Sequence, residues 1–128
     1  NIERPLWKYI DEGLERVYAH GGFVRIRVLK PENSYIDELT MDALPEKFRI
    51  IVLTRDEDRK RGLLEWWEPG DVPFRGIMRF THDDEWDTRT ISNDLSIAKA
   101  VFWDLFEDGE ISPENMENFR SGWDPKPR

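Results

Sequence analysis

Cysteine is absent from this 128-residue chain, which excludes disulfides, thiolate metal sites and a thiol nucleophile, and fits a reducing cytoplasm. Histidine is scarce: His20 and His82 stand far apart, so a Ser-His-Asp triad or a His-based metal centre has little material. No apolar run approaches the roughly 20 residues that cross a bilayer, and Asn1-Ile2-Glu3-Arg4-Pro5 lacks the apolar core of a signal peptide. Positive charge is in deficit, with 19 Lys plus Arg against 27 Asp plus Glu and a net charge of −8. Such a field repels nucleic acid and anionic membranes and speeds encounter with a basic partner. No phosphate loop or dinucleotide fingerprint is found, because Gly21-Gly22 leads into a strand pattern rather than a helix. The expectation is a cytoplasmic protein with no cofactor, no metal, no nucleic acid and no membrane among its partners.

What the chain has in quantity is large aromatics: six Trp, seven Phe and three Tyr. Each buries about 150–250 Å², so a few suffice to anchor a core or an interface. The length suits a single domain over 1–128, with residues 122–128 an irregular tail.

The spacing of Leu6, Tyr9, Ile10, Leu14 and Val17 predicts a helix from Pro5 to His20, stopped by Gly21-Gly22. From Phe23 the period changes to 2. Val24, Ile26 and Val28 alternate with Arg25 and Arg27, a half-buried strand. Pro31–Ser34 reads as a turn. Leu39, Met41 and Ala43 alternate with Thr40 and Asp42 in a second strand that Pro45 ends. Phe48–Thr54 is the most apolar strand and is expected at the centre. A charged hairpin over Arg55–Arg61 leads to a strand over Leu63–Trp67, a loop at Pro69–Pro73, and shorter strands over Gly76–Phe80 and Trp86–Ile91. Ser92 or Asn93 is the expected cap of a second helix. Its apolar face is Leu95, Ala98, Val101, Phe102, Leu105 and Phe106, and Gly109 ends it. Ser112-Pro113-Glu114 marks a further helix start. Helices segregated from strands in this way imply an α+β fold: an antiparallel sheet of four to six strands, with the N-terminal helix and the amphipathic C-terminal helix packed on it. The Arg25 and Arg27 side chains then lie on the face away from the helices.

Chemistry is sparse. His82, Asp83, Asp84, Glu85 and Asp87 match neither the EF-hand nor the paired-His zinc spacing and read as a solvated acidic loop. Glu65, Glu68 and Asp71 could supply the two carboxylates of a glycosidase, but acids this abundant make such pairs trivially available. No catalytic set emerges, so the protein is read as a non-enzyme. Surface features remain. Trp66 and Trp67 are adjacent in one strand and point to opposite faces. One serves the core, while the other is either exposed among Glu65, Glu68 and Asp71 or covered by the loop that follows. Exposed, Trp67 would anchor a basic partner. Trp86 raises the same question. So does Trp103, off the apolar face of its helix beside Asp104, Glu107 and Asp108, where a second aromatic and acidic patch is possible.

Three stretches carry a family resemblance. They are Asp84-Glu85-Trp86, Ile91-Ser92-Asn93-Asp94-Leu95, and Val101 through Ser112 with its two aromatics, acid and Gly. Together with Gly21-Gly22-Phe23-Val24 after an N-terminal helix, they resemble small immunity proteins of bacterial polymorphic-toxin and contact-dependent growth inhibition systems. Asp83 or Asp84 stands where that pattern has Gly. The resemblance implies an antitoxin that binds a cognate basic toxin domain, a nuclease by expectation, and occludes its active site or substrate groove. Acidic groups would then stand in for phosphates. Trp67 and the acids Glu65, Glu68, Asp71, Asp83, Asp84, Glu85 and Asp87 are the expected interface. The competing reading is an acidic adaptor domain with a different protein partner.

Overall fold

A left-handed glycine sets the first corner of the chain. The computed structural model describes residues 6–28, 35–55, 61–79 and 85–121. In it helix α1 spans Trp7–His20 and stops at Gly21, whose φ of 88° and ψ of 164° fall in a region that is essentially glycine-only. The Gly21 N–H closes on the Val17 carbonyl, and the chain turns directly into β1 (Gly22–Arg27). The buried face of α1 is Ile10, Gly13, Leu14 and Val17. Leu6 and Tyr9, expected on that face, are exposed instead. Gly13 takes the inward position, where a methyl group would sit in ordinary contact with Val24 of β1.

β2 (Ile36–Leu44), β3 (Lys47–Arg55) and β4 (Arg61–Trp66) follow as an antiparallel meander. With β7 (Phe119–Ser121) they form a sheet in the order β1-β2-β3-β4-β7, which places the apolar β3 at its centre. Register fixes the two faces, because directly paired residues point to the same side. Leu39, Met41 and Ala43 pair with Val52, Ile50 and Phe48, all fully buried under the helices. The opposite face carries Arg25, Arg27, Thr40, Arg49, Glu65 and Arg120. The expected turn at 31–34, the hairpin loop at 56–60 and the tail at 122–128 lie outside the described residues.

Three local departures have physical causes. The strand expected over Trp86–Ile91 is only β6 (Glu85–Asp87), paired with β5 (Ile77–Arg79) in a separate two-stranded sheet. The Asp87 carboxylate accepts the Arg89 N–H and winds Thr88–Thr90 into a 3-10 turn. Helix α2 (Leu95–Asp108) is capped by Asp94 rather than by Ser92 or Asn93. Ser92 is already committed: its backbone exchanges both hydrogen bonds with Phe48, each 2.8 Å. Finally, β7 follows the short helix α3 (Pro113–Met116) and pairs with β4 over only three residues, too few to leave a periodic trace. Ser112 caps α3 as expected.

The helices run antiparallel, tied at three levels. Trp7 meets Trp103 and Phe106, Lys99 bridges Asp11 and Glu15 at 3.0 and 2.6 Å, and the Tyr18 hydroxyl donates to the Asn93 carbonyl. Among the described residues no helix is long and apolar enough to cross a membrane.

Backbone strain gives a paired prediction. Gly21→Ala places a methyl 3.4 Å from the Ala43 carbonyl at a forbidden φ, and costs about 2 kcal/mol or more in urea unfolding. Glu46, a non-glycine at φ 63° in the β2–β3 turn, gains about 0.5–1 kcal/mol when replaced by Gly.

Candidate functional site

Two arginines organise the face of the sheet away from the helices. Arg49 projects from the centre of β3 and is only 3 % exposed. Its guanidinium lies 3.3 Å from the Glu65 carboxylate on β4. The other side of the fork stacks on the Trp86 ring, 3.3 Å from its centroid, so β6 is held over the sheet. Arg89 is also buried. Asp87 grips it from two sides at 2.9 and 2.6 Å, and it donates to the Val72 carbonyl in the loop after β4. The same guanidinium packs against Trp67 and Phe74, and Arg120 approaches Trp67 from β7. The Asp87 carboxylate raises the Arg89 pKa above its ordinary value, against the opposing effect of burial.

This arrangement decides the fate of the expected interface. Trp67 is 3 % exposed, so it is not an exposed anchor. Arg89 and the Val72 loop cover it, the alternative the sequence left open. Glu65, Glu68, Glu85 and Asp87 each face an arginine: Arg49, Arg75, Arg79 and Arg89. A carboxylate already facing a guanidinium offers little as a phosphate substitute. Asp71 is exposed in its loop, and Asp83, Asp84 and His82 lie outside the described residues. Among the described residues no three His, Asp or Glu side chains converge to hold a metal.

The second patch is different. Trp103 is 43 % exposed and forms an edge-to-face pair with Trp7 at 5.0 Å, with Phe106 at 6.0 Å completing a three-ring cluster across the seam between α1 and α2. Glu107 and Asp108 stand exposed beyond it. From Ala100 to Phe119 the chain has six acids, Asp104, Glu107, Asp108, Glu110, Glu114 and Glu117, and no Lys or Arg. Two of these also have internal work. Glu110 accepts the Tyr35 N–H, and Asp104 accepts from the Ser112 N–H at 2.9 Å and the Asn115 amide at 2.7 Å. Burial pushes the Asp104 carboxyl up, but those bonds outweigh it and hold the pKa below its ordinary 3.8.

Sequence reasoning missed the roles of Arg49 and Arg89. A signal existed for Arg49, a lone charge inside the apolar run Phe48–Leu53.

Two predictions follow from these pairs. Glu65→Leu alone removes the carboxylate beside the buried Arg49 guanidinium and costs about 3 kcal/mol, while the double change Arg49→Met with Glu65→Leu recovers most of that loss in chemical denaturation. For Asp104 the folded pKa is lowered, so its contribution is full above the unfolded value and is lost as pH falls through the lower folded one. The stability gap between the wild type and Asp104→Asn is therefore constant near neutrality and narrows below about pH 4.

Among solved structures, a crystal structure of a hypothetical protein from Neisseria gonorrhoeae superposes with a TM-score of 0.66 at 17 % identity, covering 88 % of this chain and 77 % of that one. At that identity the likeness establishes the fold alone. No curated protein matches the chain. A sequence profile for the family of unknown function DUF6911 matches residues 1–115, and the chain belongs to that family.

Proposed function

We propose that this protein is a non-catalytic, stoichiometric inhibitor: an immunity protein that holds a basic toxin domain, of nuclease type, in the cytoplasm of the producing cell. The observation that carries the reading is the seam between the two helices. There an exposed Trp sits in a preformed three-ring cluster, beside a 20-residue stretch with six acids and no base. Interface hot spots favour Trp, and a ring already braced by neighbours loses little entropy on binding. Glu107 and Asp108, exposed beyond the rings, take the role first expected of the acids now paired on the opposite face. They steer a basic partner and fill positions its phosphate-binding groups would occupy. The resemblance carried by Val101–Ser112 supports a toxin as that partner, and those residues lie in this same region.

Affinity capture from the native host tests this. The wild type is expected to retain one basic protein at one-to-one stoichiometry, and the purified partner is expected to be toxic unless this protein is co-expressed. Trp103→Ala combined with Glu107→Lys and Asp108→Lys, in a variant whose circular dichroism matches the wild type, weakens the complex at least thirtyfold, since a hot-spot Trp contributes about 2 kcal/mol or more. Equal retention by wild type and variant would remove the seam from the interface. A harmless partner would favour the adaptor reading.

A further inference from the structure

Away from the helix seam, the start of β3, the end of β4, Met78 of β5 and the residues entering α2 line an open cleft of about 370 Å³. That volume is within the range of small-molecule pockets, about 300–1,000 Å³. Its lining mixes apolar residues, Trp66, Met78 and Ile91, with polar ones, among them Lys47, Asn93 and the Glu68–Arg75 pair.

The charges in this lining decide the ligand class. Arg75 is engaged by Glu68. Lys47 is exposed at the rim, and no carboxylate comes within ion-pair distance of it among the described residues. The lining charges Lys47, Arg75 and Glu68 thus sum to +1, in a chain whose net charge is −8. The Lys47 backbone is held in place. The preceding Glu46 takes the strained φ of 63°, with its N–H bonded to the Tyr18 carbonyl at 2.7 Å. The next residue, Phe48, is locked to Ser92 by two backbone hydrogen bonds.

We propose that this cleft binds a small organic monocarboxylate, with its carboxylate on Lys47 and its apolar body against Trp66, Met78 and Ile91. One lining cation beyond the Glu68–Arg75 pair matches one negative charge. A phosphate or a dicarboxylate would bring a second negative charge towards Glu68. A ligand without an apolar body would leave Trp66, Met78 and Ile91 uncovered. The cleft shares no residue with the Trp7–Trp103–Phe106 cluster, so the two readings stand or fall separately.

Methionine-methyl NMR provides the test. Of the three methionines, Met78 lines the cleft and Met41 is fully buried in the core, so Met41 reports on folding. With hexanoate as the probe, the Met78 methyl shifts saturably while Met41 stays fixed. Hexanamide, which has the same apolar body without the charge, needs about tenfold more to give the same shift. Lys47→Gln, at an exposed position, abolishes the preference for acid over amide with both spectra otherwise unchanged. Equal binding of acid and amide, an unaltered preference in Lys47→Gln, or a silent Met78 methyl would each overturn the proposal.

Discussion

Arg49 carries a full positive charge at a position that is 3 % exposed, and the layer behind the sheet depends on how that charge is accommodated. Burying an unpaired guanidinium costs several kcal/mol. Glu65 supplies the counter-charge from the next strand, and Trp86 supplies a π face that replaces water on the other side. The consequence is topological. Among the described residues β5 and β6 pair only with each other, and a two-stranded sheet is marginal alone, so the Arg49–Trp86 stack is a principal reason it docks at all. Arg89 repeats the device one step along the chain, gripped by Asp87 and set between Trp67 and Phe74.

The same pairings divide the acidic charge into two populations. On the face away from the helices Glu65, Glu68, Glu85 and Asp87 serve as counter-ions for arginines and shape the fold. At the far end of α2 they outnumber bases six to none, with Glu107 and Asp108 turned to solvent beside a ring cluster that is only partly covered. Net charge alone did not distinguish these populations. Because four of the acids first expected at the interface already face arginines, the proposed interface moves from the Trp67 strand to the helix seam.

Local periodicity made much of the architecture legible. Alternation over Val24–Val28 and Leu39–Ala43, the apolar run of β3 and the Gly21 and Gly109 stops each reflect contacts within a few residues, and each stands in the structure where the pattern put it. The α2 face of Ala98, Val101, Phe102 and Leu105 is buried as its spacing implied. The site was less legible. Arg49 meets Glu65 from 16 residues away, and Trp7 meets Trp103 with every strand of the meander between them in sequence. Such long-range pairings leave no trace in spacing. Trp67 illustrates the limit: alternation correctly sent it to the face opposite Trp66, but which element covers that face is a property of the tertiary fold. β7 escaped notice for the opposite reason, being too short for any period to register.

Amide hydrogen exchange on the complex with the captured partner tests the central claim most directly, because it maps the interface without mutation. Protection concentrated over Trp103–Glu110 and the first turn of α1, with Glu65–Trp67 and Glu85–Asp87 unchanged, is the result this account predicts. Protection centred on Glu65–Trp67 and Glu85–Asp87, with the helix seam unaffected, would contradict it.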